Sequence, residues 1–356
     1  MNPTDAPEKP EAAPSKHLNR LKIAAIGLTS LGIGLFVYLL YAAGLSEVLD
    51  GIRRIGFSGF AVVIALYLAR ITVRSMAWML CVHEPYKLSL RDAVQAVIIG
   101  EAMSSVIPLG ILVSGTSKAV AVRKKIPIVV GLSSVATENL FYSLATSLFI
   151  AFGAFAFLSS FALADGWAIT IDLLIIGILL LLIFGVLLVV RQWHIASEIC
   201  NRIYDRGHLR GILEHGRLQV RLFENLIYGF YRRYPGRFFP IVALESVFHA
   251  FGVFEVIFVL WKLGVAAHLF NAVMLESVSR LVSIVFKLVP FMIGVDEAGT
   301  QFVTDTIGIA AGVGLTLAIV RKGRVLFWAI IGALLIFKRG MSVGEIRKLN
   351  LDEPVE

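Results

Sequence analysis

Residues 169–190 read ITIDLLIIGILLLLIFGVLLVV. A helix needs about 20 predominantly apolar residues to cross roughly 30 Å of hydrocarbon, and this block has that length. Lipid offers no partner to backbone N–H and C=O groups, so a spanning chain is helix or closed barrel. Barrel strands alternate apolar and polar residues. This block is almost continuously apolar, so it reads as a membrane helix. Similar blocks recur along the chain, which is 58% hydrophobic and only 16% charged, with a mean hydropathy of +0.82. A soluble globular chain carries about a quarter charged residues. The fold class is therefore all-α membrane protein.

The neighbouring segments divide the chain into five parts. Residues 1–20 hold Pro3, Pro7, Pro10 and Pro14 among polar residues and read as a disordered tail. Lys9, Lys16, Arg20 and Lys22 place it in the cytoplasm by the positive-inside rule. Residues 21–190 form a first membrane half. Its first apolar run, 23–43, exceeds the roughly 7–15 residues of a signal-peptide core and reads as a retained helix. The second helix spans about 57–80 and carries Arg70 and Arg74 near its end, which the same rule puts inside with Lys87 and Arg91. Residues 191–237 form an Arg-rich cytoplasmic arm. Ile195, Ile199 and Ile203, and Leu218, Leu222, Leu226 and Phe230, recur every fourth residue, so each set lines one helix face. Such a basic amphipathic arm either lies among anionic headgroups or serves only to set topology. Residues 238–338 form a second membrane half, with apolar runs at 238–261, 269–288, 302–320 and 325–337. Residues 339–356 are a C-terminal tail.

Two places resist reading as unbroken helices. The block 93–113 contains Pro108 in Ser104-Ser105-Val106-Ile107-Pro108-Leu109-Gly110, and a single crossing there would export Lys118, Arg123, Lys124 and Lys125. Proline removes a donor and clashes with the preceding turn, so a re-entrant hairpin is expected. The second half has its own break, from Pro290 to Gly294, followed by Asp296 and Glu297. About eight transmembrane helices plus two re-entrant or broken helices result. A break in each half is the pattern of a transporter with inverted repeats, whose half-helix ends can hold a headgroup or an ion.

Ionisable residues at membrane depth cost at least ~2.5–3.5 kcal/mol each, so they need a partner or a wet cavity. Glu101, Glu138, Glu245, His249, Glu255, Glu276, Arg280, Asp296, Glu297, Asp305, Arg321 and Arg324 fall in apolar surroundings. Glu276 and Arg280 are four apart, the spacing of an intrahelical ion pair. Glu245 and His249 share that spacing, which fits a stapling pair or, more weakly, half of a metal site. Asp296 and Glu297 fit a polar cavity, a helix N-cap, or both together. Cys81 and Cys200 have no metal or disulfide spacing and read as apolar filler. No cofactor or metal is expected, and there is no Gly-x-x-x-x-Gly-Lys-Ser/Thr phosphate loop.

The stretch 247–339 resembles the C-terminal half of the lysylphosphatidylglycerol synthase transmembrane-region family, and within it the hopanoid-associated inner-membrane branch. The carriers are His249 and Glu255, Glu276-Ser277, the run from Pro290 through Gly294-Val295-Asp296-Glu297-Ala298-Gly299, and Arg321-Lys322-Gly323-Arg324. Phe291 stands where that branch usually has a glycine. The first half matches more loosely: Gly115-Thr116-Ser117-Lys118 lacks an acid the family often has there, and Glu138 stands where the family has one on the next helix. The resemblance implies lipid movement between leaflets of a bacterial inner membrane. A substrate-binding set of Glu138, His249, Glu255, Glu276, Arg280, Pro290, Gly294, Asp296, Glu297, Arg321 and Arg324 follows, with no catalytic residue and no synthase activity. Membrane lipids, anionic or hopanoid, are the expected partners, with a lipid-biosynthesis enzyme as a further one and no nucleic acid. The alternatives are a non-catalytic membrane partner of a lipid-modifying enzyme and a membrane-embedded lipid-modifying enzyme.

Overall fold

A computed structural model describes residues 33–42, 44–106, 110–161, 165–206, 210–266, 268–286, 292–310 and 312–338. The regular structure among these residues is all helix, with no strand. The helices are α1 (Ile33–Ala42), α2 (Leu45–Cys81), α3 (Leu90–Val106), α4 (Gly110–Ala121), α5 (Ile128–Ser160), α6 (Asp165–Arg191), α7 (Ile195–Asp205), α8 (Arg210–Arg233), α9 (Phe238–Lys262), α10 (Leu269–Val285), α11 (Val295–Thr306) and α12 (Val313–Lys338). A short 3₁₀ turn, Pro235–Arg237, leads into α9.

Among the described residues, three helices have the length and apolar composition to cross a membrane: α2, α5, and α9 taken with its 3₁₀ turn. Shorter apolar stretches lie at Ile33–Ala42 and Ile175–Gly185. At 37 residues α2 would be roughly 55 Å long if straight, more than a bilayer core needs. It is kinked at Gly56, so its part beyond the kink coincides with the expected helix from residue 57.

α2 and α9 run antiparallel through the centre of the molecule. Ile55 and Val63 of α2 share an apolar cluster with Val256, Val259 and Leu260 of α9, and with Leu263 just beyond it, at one end. Ala77 and Cys81 share another with Ile241 at the other end. Between these apolar zones both helices carry charges, Arg70 and Arg74 on α2 and Glu245 and Glu255 on α9, and Arg70 meets Glu255 there at 3.7 Å.

The Pro108 break lies outside the described residues, but the helices on either side of it are well placed. Lys125 pairs with Asp92 at 3.1 Å near the base, and Gly100 lies against Ser114 and Lys118 further in. The contacts keep a nearly constant residue-number sum, so α3 and α4 form an antiparallel hairpin. Their 17 and 12 residues give lengths of roughly 25 and 18 Å, both shorter than the hydrocarbon core.

The last hundred residues divide differently from the hydropathy reading. The expected runs at 302–320 and 325–337 are not two helices. α11 ends at Thr306, a turn follows in which Gly308 and Gly312 both take left-handed φ (72° and 82°), and α12 runs unbroken from Val313 through Arg321, Lys322 and Arg324. Three clustered cations interrupt the hydropathy between these runs, but each has an acidic partner inside the protein, so a helix can carry them. Glycines make the true turn because they alone enter that backbone region at little cost.

The arm is helical and docked. α8 packs on α5 and touches α6. The hydroxyl of Tyr228 donates to the carbonyl of Trp193 at 2.7 Å, and that of Ser197 donates to Glu224 at 2.6 Å, tying α7 to α8. Arg237 donates to the carbonyls of Leu80 and Val82, at 3.2 and 3.1 Å, which fixes the arm's end to α2. Nearby, His83 donates its Nε2–H to Leu226 O at 3.0 Å. Burial, with Arg233 and Arg237 also close, holds the His83 imidazole below its ordinary value although the Leu226 bond opposes this.

Candidate functional site

At the centre sits Glu276 of α10, fully buried. Its carboxylate accepts from Arg280 on its own helix at 2.9 and 2.7 Å, from Arg70 of α2 at 3.2 Å and from Arg321 of α12 at 2.5 Å. Gly252 of α9 makes room for it: a Cβ there would come within 2.7 Å of Glu276 Cδ. One turn further along α9, Glu255 pairs with Arg324 and, at 3.7 Å, with Arg70. Aromatic faces complete the packing, with Arg70 over Phe248 at 4.3 Å and Arg324 over Tyr67 at 4.2 Å.

A second group lies one turn along α2. Arg74 donates to Glu138 of α5 at 2.7 Å and to Asn139 at 3.2 Å, and lies over Tyr142 at 4.3 Å. Lys118 of α4 reaches Glu138 at 3.6 Å, and Glu101 of α3 takes a hydrogen bond from Tyr67 and lies 3.8 Å from Arg74. The α3–α4 hairpin is thus tied to the centre by charge.

The third group surrounds the other break. Pro290 lies outside the described residues. The backbone N–H of Gly294 donates to Glu297 Oε2 at 2.8 Å, so Glu297 caps α11, and Lys322 pairs with the same carboxylate at 3.0 Å. Lys322 also donates to the carbonyl of Met292 at 3.1 Å. Met292 holds a φ of 49°, a region that a non-glycine residue seldom enters. Asp296 accepts from Ser279 of α10 at 3.1 Å.

These groups flank a cavity of about 1390 Å³. Arg74, Glu101, Arg280, Asp296, Arg321, Lys322 and Arg324 line its deep part, with Ser104, Ser114, Asn139, Ser279 and Ser283. Ile178, Leu181 and Leu182 of α6 form an apolar wall, and Arg191, Tyr228 and Arg232 stand where the arm borders it. The space is charged at depth and greasy along one side.

Of the residues read from the sequence, Arg280, Asp296, Arg321 and Arg324 line this cavity. Glu276 and Glu297, expected to line it as well, do not: both are fully buried behind the cations they hold. Glu138 and Glu255 are likewise fully buried. A carboxylate serving several cations has to be surrounded by them, which leaves guanidinium edges toward the space. His249 and Glu245 are not bonded to each other. His249 shares a hydrogen bond with the hydroxyl of Thr146 at 3.0 Å and stacks on Phe149, and both oxygens of Glu245 lack a partner among the described residues. No group of three metal-ligating side chains occurs among the described residues.

Arg70, Arg74 and Lys118 stood outside the expected site. The positive-inside rule treats them as topology signals, yet Arg70 and Lys118 are almost fully buried and Arg74 is half-buried. The signal available was the four-residue spacing of Arg70 and Arg74 inside an apolar helix, the same signature that marked Glu276 and Arg280.

The family model described as the lysylphosphatidylglycerol synthase TM region matches residues 22–332. Neither the curated proteins nor the solved structures give a match. The matched span takes in every charged group described above and nearly all of the helices around them. The chain belongs to the lysylphosphatidylglycerol synthase TM region family, and is a helical membrane protein of it.

Proposed function

We propose that this protein moves a lipid or lipid-linked substrate between the leaflets of the bacterial inner membrane. The observation that carries the reading is the cavity of about 1390 Å³ with a charged floor and an apolar α6 wall. A polar headgroup needs the first and an acyl chain tolerates the second. Intramembrane ionisable residues facing a cavity mark substrate paths in transporters. In this reading the α3–α4 hairpin and the α10–α11 break are re-entrant elements, a pseudo-repeat of one architecture, and the N-terminus lies in the cytoplasm. A hopanoid-associated substrate fits the sequence likeness in the second half. No catalytic role is assigned to any residue.

A fluorescent-lipid quenching assay in proteoliposomes tests this. Leaflet exchange above that of empty vesicles is expected for at least one headgroup, and its absence across anionic, zwitterionic and cationic lipids overturns the reading.

A second reading rests on the arm. Exposed Arg202, Arg206, Arg221, Arg232 and Arg233 on docked helices α7 and α8 offer a basic face to a lipid-modifying enzyme. Recovery of such an enzyme by the full chain, and its loss when those arginines become glutamine, supports this second reading.

A further inference from the structure

We infer that Glu245 of α9 is a proton-binding site, and that it gives up or takes its proton according to whether Lys118 of the α3–α4 hairpin is held by Glu138 or by Glu245 itself. The proton site stands on the geometry alone. Its coupling to lipid movement rests on the transport reading of the cavity.

Position comes first. The clusters that join Val63 with Val256 and Ala77 with Ile241 set the antiparallel register of α2 and α9, and put Glu245 level with Arg74. Glu245 is fully buried, and neither of its oxygens has a hydrogen-bond partner among the described residues. α9 packs on α2, α5, α10, α12 and the 3₁₀ turn. The charges that act on Glu245 are those of Glu138 on α5, Arg74 on α2 and Lys118 on α4. The Cys81 thiol of α2 is also near. Arg70 is taken by Glu276 and Glu255. Arg280, Arg321 and Arg324 gather round those same acids, at Gly252 and Glu255, about two turns or more along α9. Arg237 of the 3₁₀ turn is held by the carbonyls of Leu80 and Val82 and by Glu84. On α9 itself, His249 is bonded to Thr146.

Charge balance comes second. Arg74 lies 2.7 Å from Glu138 and 3.8 Å from Glu101, and Lys118 lies 3.6 Å from Glu138. Two cations are thus matched by two carboxylates, and an ionised Glu245 would add a negative charge that nothing pairs. A charge taken out of water without a partner is so costly that the group neutralises, so Glu245 holds a proton in this arrangement. Glu138 has two cations and Glu245 has none. Lys118, at the longer distance, is the one that a shift of the hairpin would carry across. When Lys118 pairs with Glu245, the carboxyl releases its proton to water entering through the cavity, whose wall reaches Arg74 and Asn139 beside Glu138. When Lys118 returns to Glu138, Glu245 takes a proton back. Intramembrane acids act as proton relays in pumps and transporters. A metal cation would face the positive charge of Arg74 and Lys118, whereas a proton is absorbed into the carboxyl itself.

The experiment uses the full-length protein purified in detergent. Infrared difference spectra between the unmodified chain and Glu245→Gln at pH 7 read the carbonyl stretch of a protonated carboxyl, which lies clear of the amide bands. That band is expected in the unmodified chain and should be lost in the variant. Its absence from the unmodified chain overturns the inference. Glu138→Gln frees Arg74 and Lys118 to pair with Glu245, so the band should vanish there too. A folded Glu138→Gln protein that keeps the band overturns the exchange between the two acids, and the first comparison decides the proton site even where this variant fails to fold. Proteoliposomes with fluorescent phosphatidylglycerol and phosphatidylcholine test the coupling. A one-unit pH gradient is a tenfold ratio of proton activity, so exchange tied to one proton should enrich a moving lipid in one leaflet by up to about tenfold. Glu245→Gln should abolish that asymmetry. Exchange that ignores the gradient overturns the coupling and leaves transport standing. The infrared band without any leaflet exchange keeps the proton site and removes the transport reading. Enrichment driven by a sodium gradient at equal pH would put a metal cation in place of the proton and overturn the inference.

Discussion

Glu276 binds three arginines and Glu245 binds none, so the two carboxylates should respond to mutation in opposite ways. Removing one partner of a buried ion pair costs about 3–5 kcal/mol because the remaining charge is stranded. Glu276→Gln strands Arg70, Arg280 and Arg321 together and should lower stability by at least about that amount, read as thermal unfolding of the purified protein in detergent. Glu245→Gln removes a buried acid whose oxygens have no partner among the described residues, so the unfolding midpoint should hold or rise. A clear fall would mean that Glu245 has a partner in the folded protein. His83 allows a pH test. Its folded value is depressed by burial, so protonation favours the undocked state. Docking of the arm should be fully stable above the ordinary histidine value near 6.5 and weaken as pH falls below it toward the depressed folded value. Protection of the amides in residues 220–233, taken relative to the intrinsic exchange rate at each pH from 7.5 to 5, should fall as the pH falls, and His83→Gln should flatten the dependence.

Helix packing sets how closely those charges can gather. α9 presents Gly252 to Glu276 of α10, and a methyl group there would collide with the carboxylate. Gly252→Ala should destabilise by about 1–3 kcal/mol, the usual range for overpacking a filled interior. Gly177→Ala in α6 is the matched control, since nothing lies within 4 Å of its would-be Cβ. There alanine should stabilise the helix by up to about 1 kcal/mol through propensity alone. Chemical unfolding of the two variants side by side separates close approach from a general effect of glycine. The break after α10 has its own element-scale logic: Glu297 supplies the cap and Lys322 of α12 spans both the carboxylate and the Met292 carbonyl, so α11 cannot shift without α12.

Taken whole, the molecule is two apolar zones separated by a charged layer, with a cavity opening from that layer along α6. A ligand that binds only the folded form stabilises it by mass action, by about 2.7 kcal/mol at a hundredfold excess over Kd. Titrating phosphatidylglycerol, phosphatidylcholine and a cationic diacyl lipid into delipidated protein should therefore raise the unfolding midpoint in a saturable way for at least one headgroup. A non-saturating rise shared by all three lipids would indicate a detergent-like effect in place of a site.

Hydropathy alone determined that this is a helical membrane protein, because a backbone in lipid must satisfy its own hydrogen bonds and a long apolar run can do so only as helix. Local spacing likewise offered Glu276 with Arg280 as a pair, since neighbours on one helix meet wherever the helix goes, and left Asp296 with Glu297 open between a polar cavity, a helix N-cap, or both. Tertiary structure decided the rest. Arg70, Lys118, Glu138 and Arg321 come from four different helices, and no periodicity records which distant charge each will meet. The same ignorance of partners made Arg321-Lys322-Gly323-Arg324 fall between two apolar runs and Arg70 look like a topology marker. A charge is tolerable inside a membrane protein only when its counter-charge arrives from elsewhere in the chain, and that is a property of the packed helices.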